Sequence, residues 1–504
     1  MSESALIEHF QRGYSSNGAS LKLGAVKYQG KVYPECSIGI PLKMLNRHGL
    51  IAGATGTGKT KTLQVIVEGL SLNGIPSVML DIKGDLSGLG AAGERKDFLT
   101  ERYGLLHEEY APEAFPTEFL SLSGEKGTRL KATVTEFGPV LLSKILELND
   151  TQQSLLSVLF KYADDHQLPL IDLKDLIRLI QYCSNQGKTE IERDYGKLST
   201  QSLGIIQRKI IELQQQGADL FFGELSFEVN DLMRLDASGK GMINVIRVTD
   251  LQDRPKMFST FMLQMLAELY ETLPEVGDLD KPKLVIFIDE AHLIFKEASK
   301  ALLNQIESVI KLIRSKGVGI FFVTQNPMDV PPSVLGQLGL KVQHALRAFT
   351  ANDRKAIKQT AENYPLSDFY QVDQLLTELG IGEALITGLN DKGIPTPVAH
   401  TFLLSPKSRM DILSEQELDT IVNASILRHK YNTVIDADSA YELLLRKMQQ
   451  EETVTANKPS KTASQKPAKE EKSWIEKALS SSAGKQAQRS IVRTFFDILK
   501  RSLR

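Results

Sequence analysis

The chain has 504 residues, enough for about three domains of ordinary size. Its 60 Lys and Arg residues nearly balance its 62 Asp and Glu residues, and hydrophobic residues make up 42% of the sequence. This composition excludes a collagen-like or wholly disordered chain, and no apolar run reaches the roughly 18 residues of a membrane-spanning helix. The N-terminal residues lack a signal-peptide pattern, so we expect a cytoplasmic protein. Two isolated cysteines, Cys36 and Cys183, indicate neither a disulfide framework nor a zinc site.

Charge is unevenly distributed along the chain. Residues 451–504 carry 12 basic and 6 acidic side chains, whereas the first 450 residues carry 48 basic and 56 acidic ones. A body with net negative charge repels a polyanion overall. Any contact with nucleic acid therefore requires a local basic patch.

Residues 1–45 predict a short helix and then a β-hairpin that turns at Gln29-Gly30. The next segment predicts a strand, a glycine-rich turn, a helix at Lys59–Leu72 and a second strand at Pro76–Leu80. A strand–helix–strand unit of this kind implies a parallel sheet covered by helices. Residues 46–139 are therefore predicted to form the first part of an α/β core.

Between residues 140 and 236 apolar residues recur at helical spacing with almost no strand pattern, which predicts a helical insertion. The second part of the core is predicted at 237–410, where GMINVIRVTD, KLVIFIDE, GVGIFFVTQ, GEALITGL and TPVAHTFLL have strand patterns. Helices at Pro255–Leu273 and Ala298–Ser315 separate the first three of these strands. The remaining segments are predicted to be C-terminal helices (411–450), a disordered linker (451–472) and a basic amphipathic tail helix (473–504).

The sequence GATGTGKT, from Gly53 to Thr60, fully matches G-x-x-x-x-G-K-[ST] between a predicted strand and a predicted helix. Its glycines let successive backbone N–H groups point into one concavity, which suits a phosphate chain. Lys59 is predicted to reach the β- and γ-phosphates, and the Thr60 hydroxyl to bind Mg²⁺, so we expect ATP and Mg²⁺ as cofactors. The predicted nucleotide-binding residues of this segment are Gly53, Ala54, Thr55, Gly56, Thr57, Gly58, Lys59, Thr60 and Lys61.

Polar side chains follow two later apolar segments that are predicted to be buried strands. The first segment ends in Asp289 and Glu290, and the second is followed by Gln325. If these strands share the sheet, Asp289 reaches the Mg²⁺ and Glu290 acts as general base on the attacking water. Gln325 at the same edge would sense the γ-phosphate or orient water. The structural alternative in each case is a solvated strand end or a loop cap.

Four segments, GATGTGKT, DIKGD, IFIDEAH and VTQNP, occur in an order that resembles the HerA/FtsK superfamily of ring ATPases. The late segment GIGEALITGLNDKGIPTPVAHTFLLSPKSRM resembles a narrower group of bacterial HerA-like ATPases. The resemblance covers roughly residues 20–410. It implies an α/β, RecA-like P-loop fold with a mostly parallel sheet. It also implies a Mg²⁺-dependent motor ATPase, helicase-like or a DNA translocase, that forms a homo-oligomer, typically a hexamer, on double-stranded DNA with a nuclease or other protein partner.

The resemblance further implies roles for residues outside the two motifs. Arg314 falls where the superfamily has an arginine finger supplied by a neighbouring subunit, and Arg347 and Arg354 are competing candidates. Arg47 and Asp81 match HerA positions near the nucleotide, although a loop charge and a turn cap are the structural alternatives. The sequence departs from HerA in having only a hairpin-length segment where HerA has a β-barrel.

Two other functions fit the same core. One is a nucleotide-dependent switch or scaffold that hydrolyses ATP slowly and regulates a protein partner. The other is a secretion or conjugation motor. The basic tail helix has three candidate contacts: a peripheral membrane surface, nucleic acid or another protein surface. Although His48 and His292 lie near the motifs, their spacing does not indicate a metal site.

Overall fold

The computed structural model describes residues 2–251, 254–296, 300–433 and 438–456. The chain forms two compact units. The first comprises Met1–Leu130 and Phe227–Thr433, and the second comprises Lys131–Ser226 and Val434–Arg504. Of the helices in the described ranges, none has the combined length and apolar character needed to cross a bilayer.

The first unit contains a twelve-stranded sheet, counted over the described residues. Its strands are β1 (Ser20–Tyr28), β2 (Lys31–Pro41), β3 (Gly49–Ala52), β4 (Ser77–Asp81), β5 (Thr117–Ser121), β6 (Thr128–Arg129), β7 (Ile243–Arg247), β8 (Leu284–Ile288), β9 (Val318–Thr324), β10 (Leu340–Gln343), β11 (Glu383–Thr387) and β12 (Ala399–Leu403). Their order across the sheet is β2-β1-β12-β11-β10-β3-β9-β8-β4-β7-β5-β6.

Helices connect these strands and build the second unit. They are α1 (Glu3–Gly13), α2 (Lys59–Leu72), α3 (Asp97–Leu105), α4 (Val134–Ile145), α5 (Asp150–Asp165), α6 (Leu173–Ser184), α7 (Lys188–Tyr195), α8 (Thr200–Gln215), α9 (Pro255–Thr272), α10 (His292–Lys296), α11 (Lys300–Ile313), α12 (Pro332–Leu335), α13 (Ala351–Ala361), α14 (Val372–Glu378), α15 (Glu415–Ala424), α16 (Ile426–Tyr431) and α17 (Ala440–Ala456). Helices α4 to α8 and α17 belong to the second unit.

Eight strands, from β10 across to β6, run parallel to one another. Every residue of β3, β8 and β9 is buried, which is why their sequences GLIA, LVIFI and VGIFFVT read as uninterrupted apolar runs. The predicted α/β fold with a mostly parallel sheet is therefore confirmed. The polar residues that follow these strands share the carboxyl edge of the sheet.

The N-terminal hairpin and the two late strands form the antiparallel part of the same sheet. The hairpin turns at Gln29 (φ 46°) and Gly30 (φ 82°), as predicted, because both residues accept the left-handed conformation of a two-residue turn. Strand β1 pairs with β12, and β12, β11 and β10 pair antiparallel in turn. The hairpin therefore extends the core sheet instead of forming a separate element.

The second unit is helical in its described residues. Helices α4, α5 and α6 begin at capping boxes, such as Thr133 with Glu136 and Asp172 with Asp175, which satisfy free N–H groups of the first turn. The stretch Lys131–Ser226 begins and ends earlier than the predicted range 140–236. Helix α17 packs on α6, and the backbone N–H of Tyr441 donates to Asp175 (2.8 Å).

Helix α17 continues to Ala456 and so overlaps the predicted linker 451–472. The prediction of disorder is therefore wrong for residues 451–456. Polar residues of this composition continue a helix that the apolar residues before them have started. The rest of the linker and the predicted tail helix at 473–504 lie outside the described residues.

Candidate nucleotide-binding site

The loop between β3 and α2 has the backbone geometry of a phosphate cradle. Gly53 (φ 151°), Gly56 (φ 77°) and Gly58 (φ 108°) adopt conformations that favour glycine, and Gly58 directly precedes α2. A Cβ atom at Gly53 would lie 2.5 Å from the Cβ of His344, so no larger residue fits there. The N–H of Ala54 donates to the carbonyl of Ala345 (2.8 Å), which ties the loop to the chain after β10. The loop is held open at the N-terminus of a helix.

Lys59 is the buried cation of this loop. Its ammonium group donates to the carbonyl of Ala54 (3.0 Å), so the side chain curls back over the loop. Burial lowers the pKa of Lys59, and the nearby positive charge of Lys83 lowers it further. A phosphate is a stronger acceptor for this ammonium group than a neutral carbonyl is.

Thr60 contacts a carboxylate that the sequence did not single out. Its hydroxyl lies 3.2 Å from one oxygen of Asp85, in the loop after β4, and the other Asp85 oxygen is buried without a hydrogen-bond partner. An unpartnered carboxylate oxygen beside a hydroxyl group suits a hard cation such as Mg²⁺. Among the described residues, no group of three or more His, Cys, Asp or Glu side chains could hold a metal ion. The residues therefore fit a Mg²⁺ that also takes ligands from a nucleotide.

Asp289 and Glu290 follow β8, as predicted, and both are buried. One Asp289 oxygen accepts the backbone N–H of Glu290 (2.9 Å). Burial raises the pKa of Asp289 to about 6, and the neighbouring charge of Glu290 acts in the same direction. A divalent cation would offset this concentration of negative charge.

Three side chains surround the Glu290 carboxylate. Lys83 forms an ion pair with one oxygen, and the Gln325 amide donates to the same oxygen at 3.4 Å. Nδ1 of His292 lies 3.1 Å from the other oxygen. Burial alone would raise the pKa of Glu290, but its contacts with Lys83 hold that pKa below the ordinary value. The structure thus brings Gln325 to Glu290.

Asp81 shapes the loop that carries Lys83 and Asp85. Its carboxylate accepts the backbone N–H groups of Gly84 (2.7 Å) and Leu86 (3.3 Å), which is a turn-capping arrangement. Burial raises the pKa of Asp81 to about 7, and the charge of Asp85 contributes. Asp81 therefore organises a loop that faces the nucleotide loop.

Arg47 and Arg314 lie at the opposite edge of the sheet from the P-loop of their own chain. Arg47 precedes β3 and Arg314 precedes β9, whereas the glycine-rich loop follows β3. Both line a cleft of about 600 Å³ that also contains Lys311 and Lys341. Neither arginine forms an ion pair with a carboxylate among the described residues. The structure does not bring Arg47 to the nucleotide loop of its own chain, since a strand of about 13 Å separates them.

The competing finger candidates lie elsewhere. Arg347 follows β10 and Arg354 lies on α13, and both are exposed. Arg347 donates to the carbonyl of Thr377 (3.4 Å). His48, which is buried, uses both ring nitrogens on backbone groups, at Ile310 (2.9 Å) and Ile320 (3.0 Å), so it is a structural residue.

A second cleft, of about 430 Å³, opens beside the start of α2. Lys61 lines it and donates to the carbonyl of Met410, while Phe98 and Leu105 of α3 give it exposed apolar walls. Arg102 lies 3.9 Å from the ring centroid of Phe402. An apolar cleft with a few polar groups next to a phosphate loop suits a nucleobase.

Sequence reasoning missed Lys83, Asp85 and His344. The first two belong to the segment DIKGD, which we used as a family marker without assigning its charged residues. His344 supports the loop from behind, with its Nε2 3.0 Å from the Thr62 hydroxyl, and burial lowers its pKa to about 4. Nothing in the pattern around His344 indicates this contact, because it joins distant segments.

The fold and this site define a P-loop ATPase of the RecA-like type. The family profile described as Helicase HerA-like C-terminal matches residues 27–504, and the chain belongs to this family. The prediction of a HerA-like P-loop ATPase, within the HerA/FtsK class of motor ATPases, is therefore confirmed.

Two curated relatives and one solved structure illustrate the similarity. The DNA double-strand break repair helicase HerA of Sulfurisphaera tokodaii is 23% identical over 381 residues, covering 72% of this chain and 67% of that protein. The protein named Probable helicase MJECL08, of Methanocaldococcus jannaschii, is 32% identical over 165 residues, covering 31% of this chain and 29% of that protein. The plasmid coupling protein TrwB in complex with ADP and Mg²⁺ has a TM-score of 0.52 at 13% identity, covering 82% of this chain and 95% of that chain. The likeness to TrwB shows a shared fold.

Proposed function

We propose that this protein hydrolyses Mg²⁺-bound ATP at the carboxyl edge of its parallel sheet and uses the energy to move along double-stranded DNA. One observation carries the catalytic part of the proposal. Gln325 donates to Glu290, and Lys59 lies within electrostatic range of Glu290 and Asp289, at the carboxyl edge of the parallel sheet.

Each of these residues has a chemical task. The loop N–H groups and Lys59 bind the β- and γ-phosphates, and Glu290 takes a proton from the attacking water while Gln325 orients it. Thr60, Asp289 and Asp85 would hold the Mg²⁺, which neutralises charge on the phosphate oxygens when it is bound. The cleft beside α2 receives the adenine base against the apolar side chains of α3.

The proposed substrate and assembly are supported by family membership. The HerA relative is named as a DNA double-strand break repair helicase, and we propose that this chain likewise acts on duplex DNA as a homo-oligomer, with six subunits as the expected number. A ring of subunits can present enough basic loops to bind phosphates although one subunit is net acidic. A nuclease or another protein partner is the expected companion.

The test is steady-state ATP turnover with no polymer, duplex DNA, single-stranded DNA and RNA across a salt series. We expect duplex DNA to stimulate turnover at low salt and the stimulation to fade as salt rises, because counterion release drives the contact.

Lys59→Ala should abolish turnover. Glu290→Gln should reduce kcat by about 100-fold or more while ATP still binds, because only the base is lost. Lys161→Ala, which removes an exposed lysine of α5, is the matched control.

Wild-type turnover in the Lys59→Ala or Glu290→Gln variant would contradict the catalytic assignment. Equal rates with every polymer at low salt would remove the DNA motor and leave an ATPase with another partner. Slow turnover without any stimulation would favour a switch or scaffold. Cell fractionation of the protein with and without residues 485–504 distinguishes a cytoplasmic protein from a membrane-bound secretion motor. A membrane-bound motor should leave the membrane fraction when these residues are removed.

A further inference from the structure

A second lysine lies in the nucleotide site, and the catalytic scheme above does not use it. Lys83 follows β4 and forms an ion pair with Oε1 of Glu290, the proposed general base. The Lys83 side chain is 38% exposed, whereas that of Glu290 is 7% exposed. A partly exposed lysine is therefore paired with a buried carboxylate.

The sheet explains why these two side chains meet. Strands β4 and β8 are parallel neighbours, with Leu80 paired to Ile288, so the residues after each strand lie at the same level of the sheet. The Asp81 carboxylate accepts the N–H groups of Gly84 and Leu86 and so fixes the loop that follows β4. This loop geometry presents Lys83 to Glu290.

The ion pair conflicts with the task of Glu290. A general base must accept a proton from water, and a carboxylate oxygen that already accepts from Lys83 and Gln325 is a weaker acceptor. A γ-phosphate carries more negative charge than one carboxylate and competes for the same ammonium group. The positive charge of Lys83 contributes to the lowered pKa of Lys59, so the two ammonium groups lie within electrostatic range of each other.

We propose that Lys83 is a second phosphate-binding lysine, which leaves Glu290 and binds the γ-phosphate when ATP enters the site. The inference rests on the proposed ATP hydrolysis at this site and adds a selection between nucleotides. A diphosphate lacks the group that draws Lys83 away, so Glu290 stays paired in the ADP-bound protein. The base is released only when a nucleoside triphosphate is present.

The test compares the affinities for ADP and for a non-hydrolysable ATP analogue by fluorescence titration. Lys83→Met keeps the length of the side chain and removes its charge. We expect it to bind the ATP analogue about tenfold more weakly and ADP within about twofold of the wild-type affinity, because a charged hydrogen bond to one phosphate is lost. Lys83→Arg, which keeps the positive charge, should retain most of the wild-type affinity for the ATP analogue. Lys161→Met, which removes a lysine paired with Asp165, is the matched control.

If Lys83 merely neutralises the charge of Glu290 and does not bind phosphate, a different result is expected. In that case the double variant Lys83→Met/Glu290→Gln recovers wild-type affinity for the ATP analogue, and this recovery would overturn the proposal. Equal weakening for ADP and the ATP analogue, or no weakening, would overturn it too. The double variant also removes the charge that Lys83→Met leaves unpaired on Glu290, so it serves as the test protein if Lys83→Met alone does not fold. Binding is measured without turnover, so absence of hydrolysis contradicts the proposed function and leaves this comparison intact.

Discussion

Asp85, and not only Asp289, presents a carboxylate to the part of the site where Mg²⁺ is proposed to bind. The Thr60 hydroxyl lies 3.2 Å from Asp85, and the free oxygen of Asp85 is buried without a partner. An unsatisfied buried oxygen is costly unless a ligand completes its contacts. Asp289, by contrast, already accepts the N–H of Glu290. The two carboxylates therefore differ in their contacts, and under the proposed function Asp85 would offer its free oxygen to Mg²⁺ beside Thr60.

This difference predicts the behaviour of Asp85→Asn. The variant keeps the shape of the side chain but removes one negative charge, so we expect the Mg²⁺ concentration for half-maximal turnover to rise about tenfold. Nucleotide binding in the presence of EDTA should not change, since the loop and Lys59 are intact. A Mg²⁺ titration of turnover measures the shift, and Asp391→Asn, at a partly exposed ion pair with Lys43, is the control. An unchanged Mg²⁺ requirement would show that Asp85 only caps the loop.

At the scale of elements, the late segment GIGEALITGL contains a structural ion cluster. Glu383 at the start of β11 contacts Lys27 of β1 (2.5 Å) and His400 of β12 (2.8 Å). It also accepts the N–H of Gly380 (3.2 Å). Three antiparallel strands are thereby joined through one buried carboxylate. This part of the segment therefore has an architectural role.

The cluster predicts a pH-dependent stability. Burial opposes ionisation of Glu383, but its contacts with His400 and Lys27 lower its pKa to about 2. Because this value lies below the ordinary 4.5, ionised Glu383 stabilises the fold above pH 4.5, and the stabilisation is lost as pH falls toward 2. Glu383→Gln should lower the free energy of unfolding by about 2 kcal/mol at pH 7. Urea unfolding of both proteins should show that the difference between their free energies of unfolding becomes smaller from pH 7 to pH 3.5. A difference that stays constant over this range would contradict the stabilising role of ionised Glu383.

The sequence predicted elements better than it predicted contacts between them. The glycine-rich loop, α2 and the buried strand before Asp289 are local signals, since periodicity and turn residues specify each over a short stretch. The pairing of Lys83 with Glu290 depends on β4 lying beside β8, and strands so far apart in sequence have no local mark of adjacency. The antiparallel pairing of β1 with β12 was missed for the same reason. Residues marked by a local motif could be identified from the sequence, whereas Lys83, Asp85 and His344, whose positions depend on contacts between distant segments, could not.

On the scale of the whole molecule, charged groups lie at opposite edges of the sheet, an arrangement that fits the proposed homo-oligomer. The P-loop lies at the carboxyl edge of the parallel sheet, whereas Arg47 and Arg314 line a basic cleft at the other edge. Burial lowers the pKa of Arg314, and the nearby charge of Arg47 contributes, so two like charges are held together. Such a cleft is stabilised by an anion. A head-to-tail interface between copies would bring the nucleotide phosphates of one subunit to the cleft of the next.

This interface predicts complementation between two inactive variants. Lys59→Ala removes the proposed phosphate lysine of a subunit, and Arg314→Ala removes the proposed finger for its neighbour, so each pure variant should lose hydrolysis. In an equal mixture, about a quarter of the interfaces pair an intact Lys59 with an intact Arg314, and turnover should recover to about that fraction of wild type. Parallel mixtures with Arg347→Ala and Arg354→Ala identify the finger, because only the arginine that acts across the interface complements. Inactive mixtures after subunit exchange would contradict this interface, as would full activity in monomers separated by sedimentation. Either result would show that each subunit works alone and that the basic cleft binds something other than the neighbouring nucleotide.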